Sequence, residues 1–138
     1  YCLLEGGDME NGYNPIRWDC LEQGCYMHKC HPRIEIFADC FPNKIAMSDI
    51  DGVVEIDGHF LFMEWKGDGG KLSTGQHILL QRLTTLSDKV VAYVVYGDSQ
   101  TMQVHKVTRY YRGNSKDYDM QLEQLMEQFR NWGKWVKR

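Results

Sequence analysis

Three side chains that could bind a metal ion and activate water lie within residues 48–76. The first of two strand-like runs carries Asp51, and the second carries Glu64 and Lys66. Residues two apart in a strand point to the same face, so Glu64 and Lys66 share a face. The Asp-Gly pair at 57–58 is a strong hairpin signal, and the hairpin would bring Asp51 beside Glu64. Two carboxylates and an ammonium group suit a hydrated Mg²⁺ ion and a water that attacks phosphorus.

The same residues have a purely structural explanation, which the flanking sequence argues against. An E-x-K triplet on a solvated strand face is a charge pair of about 0.2–1 kcal/mol, and Asp49 and Asp51 could be turn residues. However, the strand that ends in the triplet is apolar on both faces, with Leu61, Met63 and Trp65 on one and Phe60 and Phe62 on the other. Such a strand is expected to be central and covered. Charges at the end of a covered strand need partners or a metal ion.

The spacing of these residues resembles the signature of the PD-(D/E)XK nuclease superfamily. The resemblance rests on Asp51, twelve intervening residues and the triplet Glu64-Trp65-Lys66. It extends to Gln76, which is similar to a further glutamine motif of the resolvase-like and VRR-NUC-type nucleases, and it covers roughly residues 32–97. The chain has an Asp-x-Asp sequence where the superfamily name has Pro-Asp. An Ile-Asp pair that is followed by apolar residues and a strand ending in E-x-K is the common variant of the pattern. We therefore take Asp51 as the first metal ligand and keep Asp49 as the alternative.

The resemblance implies a metal-dependent nuclease of the endonuclease type, which hydrolyses phosphodiester bonds in DNA. Asp51 and Glu64 would hold Mg²⁺ or Mn²⁺, with the backbone carbonyl of Trp65 as a further ligand. Lys66 would serve the nucleophilic water, and Gln76 would position the water or a phosphate. The alternative function is a catalytically inactive, zinc-stabilised module that binds nucleic acid or another protein.

Two further residues near this candidate site have two explanations each. Ser73 and Gln76 fit a capping box at a helix start, but a glutamine at a helix N-terminus could also contact a phosphate. Glu35, on the first predicted helix, could join the metal site as an acidic residue does in parts of the superfamily. It could equally be a solvated helix residue.

Four cysteines that fall within 21 residues could bind a structural zinc ion: Cys20, Cys25, Cys30 and Cys40. His31 is the alternative to Cys40 as the fourth ligand. Zinc would keep a segment with few apolar residues folded. The spacing lacks the tight C-x₂-C pair of zinc ribbons, so ordinary free thiols are the alternative. A DNA enzyme is expected inside the cell, where disulfides are rare.

The length of 138 residues predicts one domain. We divide it into a Cys/His-rich segment (1–31), a nuclease core (32–97) and a C-terminal strand and helix (98–138). No apolar run approaches the ~20 residues that cross a membrane, so no membrane partner is expected. The net charge is −3, which does not by itself favour DNA.

Local clusters of positive charge could nevertheless follow a DNA backbone. Lys71, Arg109 and Arg112 are the candidate DNA contacts, and a second group of basic residues lies near the C-terminus. The second group has an alternative explanation, because basic residues at a helix end are also favoured by the helix dipole. The protein could also form a homodimer.

Periodicity predicts an α/β (α+β) fold, and the resemblance to restriction-endonuclease-like nucleases implies a mixed central sheet flanked by helices. The expected elements are a short helix from Pro32 to Phe41, strands within 44–56 and at 59–66, a helix from Ser73 to about Leu86, strands at 89–96 and 101–111, and an amphipathic helix over 117–137. The run at 89–96 is apolar throughout and should be the central strand. The order corresponds to the αβββαβ core that the resemblance to restriction-endonuclease-like nucleases implies.

Overall fold

The computed structural model describes residues 32–137. Contacts divide the chain into two units, residues 1–47 and 48–138, which are described separately. In the first unit the described residues form two short 3₁₀ helices, Ile34–Cys40 and Pro42–Lys44, without a buried residue. The predicted helix up to Phe41 is therefore present in a tighter form. Its β-branched and aromatic residues favour an α-helix only weakly, and short 3₁₀ pieces are common where a helix does not extend.

The second unit contains a five-stranded sheet with one helix on each face. Its elements are β1 (Gly52–Ile56), β2 (His59–Lys66), α1 (Thr74–Thr85), β3 (Val90–Asp98), β4 (Gln103–Tyr111), β5 (Asn114–Asp119) and α2 (Leu122–Val136). The strands lie in chain order, and only the β2–β3 pair is parallel. This confirms the predicted mixed sheet with flanking helices. Within residues 32–137, two strands rather than the expected three precede α1.

Two tight hairpins determine the local register of the sheet. Asp57 and Gly58 have φ values of 49° and 82°, as the predicted two-residue turn requires, and Ile56 pairs with His59. Arg112 and Gly113 form a second turn of this kind, with φ values of 53° and 78°. This turn starts β5, a strand that hydrophobic periodicity does not reveal because Asn114–Asp119 is almost entirely polar. The predicted helix at 117–137 therefore begins only at Leu122.

Alternate residues of β3 pack on opposite helices. Val91, Tyr93 and Val95 pack in a cluster with Leu125 of α2, and we call this side of the sheet the α2 face. Ala92 and Val94 pack with Leu80 of α1 on the other side, the α1 face. All seven residues from Val90 to Tyr96 are buried or half-buried, which confirms that this strand is central.

The buried side of α1 differs from the predicted one. Helical spacing predicts Ile78, Leu79, Leu83 and Leu86 as the buried side of this helix, but the structure buries Leu80 and Thr84 and leaves Leu86 78% exposed. The Thr84 hydroxyl donates to the Leu80 carbonyl at 2.9 Å and accepts from the Gly113 N–H at 3.2 Å. A polar residue thus occupies a core position, because it bonds to the turn between β4 and β5.

In the part of the chain that the structure describes, no helix has the length and apolarity to cross a lipid bilayer.

Candidate active site

Asp51 and Glu64 meet at the open end of the β1–β2 hairpin. The last pair of the ladder is Gly52 with Met63, so the next residues outward, Asp51 and Glu64, lie opposite each other on the α1 face. Their carboxyl groups are close enough to form a hydrogen bond. The Trp65 N–H also donates to Asp51 Oδ2 at 2.6 Å. The structure therefore brings the two predicted metal ligands into direct contact.

The backbone N–H and C=O of Trp65 both point towards the edge of β2 at which the two carboxyl groups meet. In a strand, the N–H and C=O of one residue point to the same side. Because the Trp65 N–H reaches Asp51, its carbonyl also points to the side of β2 where β1 has ended. The Trp65 indole lies on the α2 face and donates to the Gly97 carbonyl at 3.2 Å. This bond holds the end of β2 against β3.

The electrostatics of this cluster favour a cation. The pKa of Glu64 is raised from 4.5 to about 7, first by burial and then by the negative charges of Asp51 and Asp49, against the opposing effect of the Lys66 charge. Clustered carboxylates of this kind are the oxygen ligands that Mg²⁺ and Mn²⁺ prefer. Within residues 32–137, no three His, Cys, Asp or Glu side chains converge on one point. A bound ion would therefore use Asp51, Glu64, the Trp65 carbonyl and water, and Mg²⁺ usually keeps several waters.

The raised pKa of Glu64 predicts a pH-dependent stability in the absence of metal. The folded state holds the proton more tightly than the unfolded state, so the free energy of unfolding should fall as pH rises from 4.5 to about 7. With allowance for solvent screening at a half-exposed group, the loss is about 1–2 kcal/mol. Urea unfolding in EDTA at pH 5 and pH 8 measures it. The loss should shrink in Glu64→Gln, and an equal loss in both proteins would contradict this origin.

Lys66 and Gln76 also belong to this part of the molecule. Lys66 follows Glu64 by two residues on the same face of β2, and its charge acts on Glu64. Gln76 lines the same cleft as Asp49 and Glu64, at the start of α1. Its side-chain oxygen accepts from the Ser73 N–H at 3.3 Å, while Ser73 Oγ accepts from the Gln76 N–H at 3.1 Å. The capping box is thus present, and among the described residues no hydrogen bond occupies the Gln76 side-chain amide nitrogen.

A pair of variants separates the two roles of Gln76. Ser73→Ala and Gln76→Ala each break the capping box, and we expect each to cost about 0.5–2 kcal/mol of stability. If the Gln76 amide also contacts water or phosphate, only Gln76→Ala should lower the rate of DNA nicking, by about tenfold or more. Melting curves and nicking rates of both variants measure the two effects. Equal nicking rates would leave Gln76 as a capping residue.

The predicted DNA contacts lie in different places. Lys71 is exposed in the loop between β2 and α1, near the site in sequence. Arg109 pairs with Tyr93 on the α2 face, and Arg112 lies in the β4–β5 turn, where it forms an ion pair with Asp88 at 3.2 Å. Neither arginine lies on the face that carries Asp51 and Glu64.

The strand register brings a different cation, Lys106, to that face. Lys66 pairs with Tyr96, which pairs with Lys106. Lys106 Nζ lies 4.5 Å from the centre of the Tyr96 ring. In the sequence, Lys106 lies in a basic segment with Arg109 and Arg112. Choosing Lys106 over Arg109 requires the register of β3 on β4.

The remaining predicted ligands lie in the first unit. Glu35 and Cys40 belong to the 3₁₀ helix Ile34–Cys40, and Cys40 is exposed as a free thiol. The other zinc ligands, Cys20, Cys25 and Cys30, and the alternative ligand His31 lie outside the described residues. The zinc site stays a prediction.

In comparisons with family models, curated proteins and solved structures, none matched this chain. Membership in the PD-(D/E)XK superfamily therefore stays a prediction from the sequence.

Proposed function

We propose that this protein is a metal-dependent nuclease of the PD-(D/E)XK type, which hydrolyses phosphodiester bonds in DNA. The observation that supports the proposal is the contact between Asp51 and Glu64, with Lys66 next to them on the same sheet face. Glu64 and Lys66 follow Asp51 by 13 and 15 positions in the chain, and the hairpin brings the three residues together. A carboxyl pair whose charges repel each other also offers an ion more binding energy than two separate surface carboxylates would.

Each residue of the site has a distinct task in this proposal. Asp51 and Glu64 would hold the ion, and the Trp65 N–H keeps the Asp51 carboxylate in one orientation. An Mg²⁺ or Mn²⁺ ion held there would supply an acidified water and would neutralise phosphate charge. The Lys66 ammonium orients the water and stabilises the negative charge that develops on the phosphate oxygens. The Gln76 amide nitrogen is available as a donor to the same phosphate.

Nicking of supercoiled plasmid DNA tests the proposal. We expect relaxed circles in Mg²⁺ or Mn²⁺, no conversion in EDTA, and recovery when excess Mg²⁺ is added back. Parallel reactions with single-stranded DNA and RNA define the substrate form. No cleavage of any substrate under these conditions, or cleavage that EDTA does not affect, would contradict the proposal.

A second candidate function is a nucleic-acid-binding module without catalysis. It is favoured by the structural roles that the site residues already have, since Asp51 accepts a backbone N–H and Gln76 caps α1. Under this alternative the protein would bind DNA equally in EDTA and in Mg²⁺ and would leave it intact. A homodimer and an intracellular location stay predictions from the sequence.

A further inference from the structure

A cavity of about 320 Å³ lies on the α2 face, between the first half of β3, the end of β4 and helix α2. Its volume is within the range of about 300–1,000 Å³ that is typical of small-ligand pockets. Aromatic and polar side chains line it together, among them Tyr111, Trp132, Trp135, Arg109, Gln128 and Asn131. The candidate active site lies on the opposite face of the sheet, so this cavity is separate from it.

Arg109 provides a positive charge that is held in place within the cavity. Its guanidinium group donates to the hydroxyl of buried Tyr93 and lies 5.1 Å from the centre of the Tyr111 ring. Among residues 32–137, Arg109 forms no ion pair. Asp88 also lines the cavity but is paired with Arg112 through two contacts, at 3.2 and 3.3 Å. A half-buried guanidinium with free N–H groups and no acidic partner favours an anionic ligand.

Helix α2 contributes flat rings and amide groups to the same cavity. Gln128, Asn131, Trp132 and Trp135 recur at helical spacing and therefore face the cavity from one side of α2. Trp135 is 44% exposed, and His59 contacts it edge-on with the ring centres 5.4 Å apart. Amide side chains both donate and accept hydrogen bonds. Aromatic rings that can stack, next to amides that can bond to ring edges, suit a planar heterocycle.

We propose that this cavity binds a nucleobase together with its phosphate group. The base stacks on Trp135 or Tyr111 and bonds to Asn131 or Gln128, and Arg109 holds the phosphate. Two kinds of ligand carry a base together with a phosphate: a free nucleotide and an unpaired nucleotide of a DNA strand. The proposal does not depend on the nuclease function, because no residue of the cavity belongs to the candidate active site.

Titration of tryptophan fluorescence in EDTA tests the proposal, with calorimetry as a second measurement. The probes are dAMP, dTMP and single-stranded 12-mers of dA and dT. Saturable binding of mononucleotides identifies a free-nucleotide site, and binding of the oligonucleotides alone identifies a DNA strand. In either case Trp135→Ala and Asn131→Ala, both at exposed positions, should weaken binding, about tenfold or more for Trp135→Ala.

The matched control is Met126→Ala, an uncharged and exposed residue of α2 that lies outside the cavity lining. It should bind the probes like the original protein. Arg109→Gln tests the phosphate contact, and it should weaken binding of dAMP more than binding of the uncharged nucleoside deoxyadenosine. Absence of binding to every probe, or equal binding by the Trp135→Ala, Asn131→Ala and original proteins, would overturn the proposal.

Discussion

Exchanging Glu64 for glutamine should abolish Mg²⁺-dependent nicking while the protein stays folded. The amide has the same shape as the carboxyl group but cannot supply the negative charge that holds the ion. Metal-ion catalysis is worth several kcal/mol, and each 1.36 kcal/mol is tenfold in rate, so the loss should be about 10³-fold or more. The melting temperature in EDTA at pH 8 should rise or stay equal, because the exchange removes repulsion from Asp51 and Asp49.

The control for this experiment is Glu55→Gln on β1. Glu55 pairs with Phe60 on the same face of the hairpin, and its carboxylate accepts the Gly58 N–H at 2.7 Å. A glutamine oxygen preserves that bond, so the variant changes the charge by the same amount away from the site. Nicking by Glu55→Gln should equal that of the original protein. Retained nicking in Glu64→Gln would exclude Glu64 as a metal ligand.

Lys66→Ala should remove most cleavage and leave metal binding largely intact. The ammonium group acts on the water and on the charge of the transition state, and removal of one such stabilising group costs about 10²–10³-fold in rate. Mn²⁺ affinity, measured by calorimetry, should change little at pH 8. Since Lys66 lowers the pKa of Glu64, its loss should shift Mn²⁺ binding towards higher pH.

Nicking rates between pH 7 and pH 9 separate the direct effect of Lys66 from this indirect effect. If Lys66 acts on the water or phosphate, the variant stays slow at pH 9, where Glu64 is ionised in any case. Full recovery at pH 9 would reduce Lys66 to a charge partner of Glu64. Lys116→Ala, at an exposed position of β5 that pairs with Arg109 on the opposite face of the sheet, is the matched control and should leave the nicking rate nearly unchanged.

Much of the candidate site could be predicted from the sequence because it depends on local geometry. The Asp-Gly turn needs positive φ at both positions. The alternation of side chains in β2 then places Glu64 and Lys66 on one face. The capping box at Ser73 depends on residues only three apart, and an entirely apolar run marks β3 as central. Each of these features is decided within a few residues, so the sequence alone determined them.

Other features were decided only when distant segments packed. Polar β5 is a strand because it pairs with β4, and the buried side of α1 depends on the bond between Thr84 and the β4–β5 turn. The pKa of Glu64 depends on burial, and the cavity under α2 depends on how that helix lies on the sheet. The register of β4 on β3 decides on which side of the sheet Lys106 lies and on which side Arg109 lies. A shift of one residue would exchange the two faces, and sequence periodicity within one strand contains no information about that register.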